Sequence, residues 1–596
     1  MLATVPRAAI LSFHSHVDRS FLDDRELAVL SGHLAQLGHE NDLVEVVVAP
    51  QLATTISPLK TALAAHDVII YERVWSPELI AALRSALPRA TFVFCDGEHS
   101  LENPPADWWV RGEPRAVLPT LLAFLRSQAP TPPAQALEAS STGFTARPGA
   151  TAGASAPTSF APNLRPLRIG EPRPGLRTFS LKGNDGCPYQ ADARENPLYS
   201  GVKLPGGLGR GCAFCVTGNS YTSAPASQTA ASVLEQLRHV RTHAPELQRL
   251  VLKDQNPFGY LTELIESAAR ERLGPFTLLL ETRADWMIKS RARFERALEH
   301  AAEAKVTLAP FLVGIENFSQ AELDRFNKGT TAEANIRFLE LLWSWRAHYG
   351  SAFTLDEASF GFILFTPWTT IDDLRANAFA IRRTRLDQLR GSLLLSRARL
   401  YPDTALYWLA ERDGLIEASY RRPGDDSARR YGYFPAAPWR FRSPQVEHFA
   451  AIAQAACEQN GSRDQVLMLE RLLEAFGAAA DEWRSIDVEH ALPRTEPKRA
   501  PPPELVKRLE GLIAPLSLRE PFAGGWSFGD LSLAPRKLRI ELERANQPKV
   551  VLELVPRGEG DSFAQSKHYD IRCAASTESQ RAAASAVASA IAANDR

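Results

Sequence analysis

Apolar positions over the first 128 residues come in short runs separated by amphipathic stretches. The runs at residues 8–13, 43–48, 67–71 and 91–95 predict strands. Between the first two, Leu27, Leu30, Leu34 and Leu37 recur at helical spacing, and Gly38 follows where a C-terminal cap belongs. Residues 76–87 predict a second helix. This alternation is that of an α/β chain, and it predicts a doubly wound, Rossmann-like parallel sheet over residues 1–128 that receives ligands at the carboxyl edges of its strands. Residues 129–166 turn to Ala, Pro, Ser, Thr and Gly with no periodic apolar pattern, which predicts a linker.

From residue 167 to 415 the alternation returns and runs longer. Helices are predicted at 230–243, 260–270, 290–304, 331–348 and 371–383, and strands at 249–253, 276–281, 306–316, 359–365 and 392–399. Strand-helix units following a cysteine-bearing loop predict a partial (β/α)6 barrel with its active site at the strands' carboxyl ends. Residues 416–492 predict a helical extension, with Leu467, Leu469, Leu472 and Leu473 as a packing stripe. Residues 493–596 predict a small α+β domain, with strands at 538–542 and 550–554 and an alanine-rich helix from Ser579.

Length and composition change this picture little. A chain of 596 residues exceeds what one core supports, so two to four domains are expected. With 45% hydrophobic and 23% charged residues, it is not a wholly disordered chain. Sixty-eight basic residues against 69 acidic ones create no global field for nucleic acid, and no nucleic-acid partner is expected. No apolar run approaches the roughly 18–20 residues of a membrane span, and residues 1–13 lack the apolar core of a secretory signal. The expectation is a cytoplasmic protein with no membrane partner.

The six cysteines are too sparse for a secreted disulfide framework. Cys212 and Cys215, two residues apart in a glycine-rich loop, ask instead for a metal. A four-iron cluster with one open iron needs three thiolates, whereas structural zinc wants four ligands. Between Cys187 and His239 the chain offers three cysteines and no histidine. The position four before Cys212 is Leu208, which cannot ligate, and the nearest upstream cysteine is Cys187, giving C-x24-C-x2-C. Loop-closure cost grows only with the logarithm of length, so this spacing is tolerable. Cys95, Cys457 and Cys573 read as ordinary thiols in other domains. The polar stretch 190–199 reads as an exposed loop, with a substrate-contacting lid as the alternative.

The loop Gly209-Arg210-Gly211-Cys212-Ala213-Phe214-Cys215 resembles the second half of the C-x3-C-x2-C cluster loop of radical S-adenosylmethionine (SAM) enzymes. The resemblance implies a four-iron four-sulfur cluster on Cys187, Cys212 and Cys215, with Phe214 against the adenine side of SAM. Later segments extend it. Lys253-Asp254-Gln255-Asn256 is similar to the family's segment for the methionine ammonium, making Asp254 and Gln255 candidates. Glu281-Thr282-Arg283-Ala284-Asp285 resembles the segment whose arginine pairs with the SAM carboxylate, a task that suits a guanidinium. Gly314-Ile315-Glu316 is similar to a Gly-apolar-Glu strand end that points Glu316 into the barrel mouth. The segment 361–367 resembles the strand flanking the adenine, and 399–404 the closing strand and turn.

Residues 90–99 and 107–113 look like part of the N-terminal cobalamin-binding domain of one radical SAM subfamily. The cobalamin motif Asp-x-His-x-x-Gly is absent, and His14 and His16 lack its spacing and read as loop residues. The resemblance implies reductive cleavage of SAM to a 5′-deoxyadenosyl radical and cobalamin-dependent methylation of an unactivated carbon. Cobalamin-independent cyclisation, oxidation or rearrangement, or a non-catalytic iron-sulfur protein, are the alternatives. The implied partners are a small-molecule or peptide substrate and an electron donor such as flavodoxin or ferredoxin.

Overall fold

The structure is a computed structural model. It describes residues 6–15, 21–22, 24–48, 52–72, 77–96, 106–111, 114–127, 137–140, 143–146, 160–169, 177–219, 221–389, 393–418, 436–460 and 465–491. Beyond these it describes 527–534, 537–543, 550–556, 564–565, 569–573 and positions 581, 584, 585 and 588. The chain forms two compact units, Met1–Ala491 and Leu492–Arg596.

The first unit opens with a six-stranded, all-parallel sheet in the order Trp108–Arg111, Thr91–Asp96, Val68–Tyr71, Ala8–Ser15, Asn41–Val48, Leu167–Ile169. All four expected strands are present. Their apolar residues are buried on both sides, as a parallel sheet covered by helices requires: Ile10, Leu11, Val44, Val46, Ile69 and Phe92 are almost wholly enclosed. Helix Arg25–Gln36 is capped by Asp24, which accepts from the Leu27 amide at 3.3 Å, and it ends before Gly38 in a left-handed conformation. Helix Pro77–Ala86 matches the second expectation. Helix Leu52–Leu63 was not expected, because Pro58 and a Thr/Ser-rich first half hide its period; Leu59 and Leu63 nonetheless lie in the core.

The expected linker is partly structured. Leu137–Ser140 and Gly143–Ala146 form an antiparallel hairpin. Residues 160–163 run against helix Arg25–Gln36, where the Asn163 amide donates to the Ala28 carbonyl at 2.8 Å and its side chain donates to Ser31 at 3.0 Å. Leu167–Ile169 then joins the first sheet as an edge strand, with Arg168 held by Glu45 at 2.8 Å. The barrel therefore starts at Arg177 rather than 167. Three residues are too few to show a period of two.

The barrel strands Arg177–Lys182, Arg249–Lys253, Phe276–Leu280 and Val306–Pro310 are parallel neighbours. The strand expected at 306–316 is broken at Leu312, which takes a left-handed conformation. Its second half, Val313–Glu316, pairs in parallel with Phe360–Phe362. The sixth position is reduced: where a strand was expected at 392–399, Leu393–Leu395 is a 3-10 turn and a single parallel bridge joins Phe365 to Arg397. At the opposite edge Phe21–Leu22 adds to the first barrel strand. Helices Ala226–His243, Leu261–Arg270, Arg291–Ala304, Ala332–Tyr349 and Ile371–Thr384 cover the strands as expected. The fold is thus a doubly wound parallel sheet followed by a partial (β/α)6 barrel.

Helices Pro444–Asn460 and Gln465–Ala478 follow, burying Leu469, Leu472 and Leu473 but exposing Leu467, which leaves the expected stripe. The second unit holds a five-stranded sheet that includes the expected strands as Lys537–Glu543 and Val550–Pro556. The helix expected from Ser579 lies largely outside the described residues. Among the described residues no helix is long and apolar enough to cross a membrane.

Gly32 reports on the seating of residues 160–163: a Cβ there would stand 1.7 Å from the Ala161 carbonyl oxygen. Gly32→Ala is expected to destabilise the protein by about 1–3 kcal/mol, as overpacking does. Urea unfolding checks this, and unchanged stability would contradict the packing of this segment on the helix.

Candidate functional site

The first barrel strand ends at Lys182, and the chain then enters a long excursion that closes twice. The outer closure is a neck in which Asp185–Gly186 pairs antiparallel with Tyr221–Thr222. Asp254, at the end of the second barrel strand, anchors this neck. Its Oδ2 accepts from the Asn184 amide at 2.9 Å, the Asn184 side chain at 3.0 Å and the Tyr260 hydroxyl at 2.8 Å, while Oδ1 accepts from the Asn256 amide at 2.9 Å. The buried carboxylate is committed to donors of its own chain. The sequence resemblance had it meeting a ligand ammonium, whereas here it fixes the base of the cysteine loop.

The inner closure concerns the spacing of the cysteines. Asp192 bridges Arg210, the Ala193 amide donates to Gly209 O at 2.7 Å, and the Gly211 amide donates to Ala191 O at 2.9 Å. Gly211 has a left-handed backbone, and a Cβ on it would stand 3.0 Å from both the Tyr189 carbonyl oxygen and the Gly218 Cα, so the strands cross there only because the residue is glycine. Residues 191–211 leave and return at one place. Without them, Pro188, Tyr189 and Gln190 alone separate Cys187 from Cys212. The C-x24-C-x2-C spacing is a C-x3-C-x2-C loop carrying a closed insertion. Gln190 ties the two ends, donating to Cys187 O at 2.6 Å and Gly218 O at 2.8 Å.

Residues 191, 194, 195, 197 and 198 are exposed, as the exposed-loop reading of 190–199 has them, but the insertion is folded. It has two short 3-10 turns, Ala193–Glu195 and Pro197–Tyr199, capped by Asp192 and Asn196. Ala193 and Tyr199 enter a core with Phe326, Leu400 and Leu406. Tyr199 donates to Arg325 O at 2.7 Å, and burial pushes its phenol well above the ordinary range. The docking rail is residues 324–328. Asn327 donates to Ala191 O and Gly211 O at 3.1 and 2.9 Å, and Tyr189 donates to Asn327 O at 2.8 Å. A Cβ at Gly329 would meet the Tyr189 hydroxyl at 2.3 Å.

The CxxC turn is pinned from both sides: the Ala213 amide donates to Phe326 O at 2.8 Å, and Ala213 O accepts from the Leu406 amide at 2.7 Å. Cys187, Cys212 and Cys215 are unbridged, partly exposed, and near enough that the charge of Cys215 acts on both other thiols. Burial is the main cause that raises the Cys187 thiol and pushes Cys212 up to about 11. A bound metal supplies the opposing charge that thiolate ligands need. Among the described residues, no three His, Cys, Asp or Glu side chains already stand as a metal-ligating group. The loop gathers three sulfurs without drawing them to ligand separation. Three thiols on one loop fit a cluster with one open iron better than four-coordinate zinc. Phe214 sits beside them, edge-on to Phe326 at 5.3 Å between centroids, with the Lys328 ammonium 5.9 Å from its ring.

The other expected residues converge here in different ways. Glu316, left-handed in backbone, pairs with buried Lys328 at 3.1 Å. Its carboxylate occupies the space a side chain at Gly314 or Gly361 would fill, with a Cβ on Gly314 standing 2.4 Å from Oε1. Gln255 donates to Glu281 at 3.3 Å, and Glu281 also accepts from Lys253. Arg283 does reach the cysteine loop, where its Nη1 donates to Cys212 Sγ at 3.2 Å. Tyr189, Glu281, Asn327 and Lys328 were not singled out as site residues; the available signal was the turn-forming Asn327-Lys328-Gly329 run. Of the N-terminal residues, His14 belongs to the first strand, 3.0 Å from Ser12 Oγ, rather than to a loop. His16 and residues 97–99, 112 and 113 lie outside the described residues.

No known family profile matches this chain, and no curated protein sequence matches it. Solved structures do. The cobalamin-dependent S-adenosylmethionine radical enzyme OxsB with aqua-cobalamin bound superposes with a TM-score of 0.52 at 12% identity, over 82% of this chain and 78% of that one. Its apo, selenomethionine-labelled form gives 0.51 at 12% identity, over 80% and 73%. OxsB with aqua-cobalamin and S-adenosylmethionine gives 0.50 at 13% identity, over 86% and 76%. A sheet domain and barrel that the sequence likened to the cobalamin-binding radical SAM subfamily thus have the fold of a cobalamin-dependent radical SAM enzyme.

Proposed function

We propose that this protein is a radical SAM enzyme in which Cys187, Cys212 and Cys215 hold a four-iron four-sulfur cluster, with SAM at the barrel mouth and cobalamin at the carboxyl edge of the N-terminal sheet. The observation that supports it most is the closed insertion, which leaves three residues between Cys187 and Cys212. When bound, the cluster supplies a low-potential electron to SAM and so the 5′-deoxyadenosyl radical that takes hydrogen from an unactivated carbon.

The chain's own part is placement and exclusion of water. Phe214 offers an apolar face beside the sulfurs. Gln255 and Glu281, at adjacent strand ends, offer an amide and a carboxylate to an ammonium group, beside Asp254, whose four donors fix the neck. The Lys328–Glu316 pair neutralises itself beneath the mouth. OxsB, whose fold is shared, is described with aqua-cobalamin and with SAM bound, and with cobalamin the outcome assigned here is methyl transfer to a small-molecule or peptide carbon. The electron would come from a flavodoxin- or ferredoxin-type donor.

Reconstituted anaerobically with iron and sulfide and given dithionite and SAM, the protein is expected to form 5′-deoxyadenosine above a cluster-free control. Nucleoside at the control level would overturn the radical reading. For cobalamin, protein from vitamin-supplemented cells is expected to show a corrin absorption band after purification. Its absence would leave the first sheet as a scaffold and favour cobalamin-independent chemistry.

A further inference from the structure

Arg283 is only 4% exposed, yet every nitrogen of its guanidinium has a partner. Nε donates to Asp285 Oδ1 at 3.0 Å, Nη2 donates to the Lys328 carbonyl, and Nη1 donates to Cys212 Sγ at 3.2 Å. Its planar faces are also covered, by the Tyr189 ring with its centroid 4.0 Å away and by Trp286 at 5.1 Å. A rigid fork with five donors can be held this way; a flexible ammonium cannot. Three of the five N–H donors are anchored in this way, one from each nitrogen, which fixes the plane and direction of the fork. The one nitrogen turned to the candidate site is aimed at a sulfur.

We propose that Arg283 is a positioning residue for the cluster, donating to the Cys212 thiolate and raising the cluster's reduction potential; this rests on the cluster reading given above. A donor on a ligating sulfur withdraws charge from it. It therefore stabilises the reduced cluster, which carries one more electron, over the oxidised one, and hydrogen bonds to the sulfurs are a recognised determinant of such potentials. Arg283 shares the Asp285 carboxylate with Lys289, so removing its charge lowers the potential in the same direction as removing its N–H, and Arg283→Lys, which keeps the charge, separates the two. The directed N–H is fixed by the two rings and the Lys328 carbonyl.

The test uses the full-length reconstituted protein, with the one-electron reduction by dithionite followed by EPR at fixed potentials in the absence of SAM. At the potential where the unmodified cluster is half reduced, Arg283→Met and Arg283→Gln are expected to show a reduced-to-oxidised ratio at least tenfold lower, about 59 mV for one electron. Arg283→Lys is expected to recover part of the difference. SAM affinity, measured by equilibrium dialysis on the oxidised protein, is expected to change less than threefold. A variant with an unshifted potential and SAM affinity weakened tenfold or more would overturn the proposal and return Arg283 to the SAM carboxylate. Should the Met and Gln variants fail to fold, pulsed EPR of the unmutated reduced protein labelled with 15N-arginine decides the matter. A coupled arginine nitrogen that disappears in Arg283→Lys is expected, and no arginine coupling would overturn the proposal. An unmutated protein that assembles no cluster at all contradicts the functional reading itself.

Discussion

Backbone pairing between residues 191–193 and 209–211 determines what this chain can present at its barrel mouth. Two hydrogen bonds of 2.7 and 2.9 Å close the insertion at its root, and Gly211 is the residue that lets the Tyr189 and Gly218 backbones pass so near. The entropy of closing such a loop grows slowly with its length. It is offset by what the insertion buries: Ala193 and Tyr199 enter the core of Phe326 and Leu406, and Asn327 bonds both rims of the closure. Cys187 is carried to Cys212 by a folded element, not by a chance approach of distant segments.

The polar groups around the sulfurs obey a second constraint. Most buried charges in the described site are paired inside the protein, Lys328 with Glu316, Arg283 with Asp285 and Glu281 with the half-exposed Lys253, while the Asp254 carboxylate is held by neutral donors. Breaking such a pair leaves an uncompensated buried charge, the expensive case. Gly314 and Gly361 exist in this scheme as room for the Glu316 carboxylate. The Lys328–Glu316 and Arg283–Asp285 pairs are thus formed within the chain itself.

Long periodic segments made the fold legible in the sequence. Four strands of the first sheet and five helices of the barrel are where their apolar periods place them, because both sheets are buried on two faces and leave continuous apolar runs. Elements stabilised by tertiary contact alone stayed hidden: Leu167–Ile169, Phe21–Leu22 and the hairpin near residue 140 are too short to have a period. At the site, the residue types and strand ends could be read, but not the direction of each side chain. Asp254 sits at the strand end where it was sought, and four internal donors turn it to the neck. The x24 spacing hid the proximity of Cys187, since nothing in residues 191–211 except its terminal glycines signals that the segment returns to its origin.

The central claim is that three thiols, Cys187 included, form one cluster site. Iron and acid-labile sulfide measured after anaerobic reconstitution of Cys187→Ala, Cys212→Ala and Cys215→Ala, beside Cys95→Ala as a control from the first sheet, tests it most directly. The account predicts that the first three lose the four-iron cluster to a similar degree while Cys95→Ala retains it. A full complement of iron and sulfide in Cys187→Ala, with loss in the other two, would contradict it and place the third ligand elsewhere.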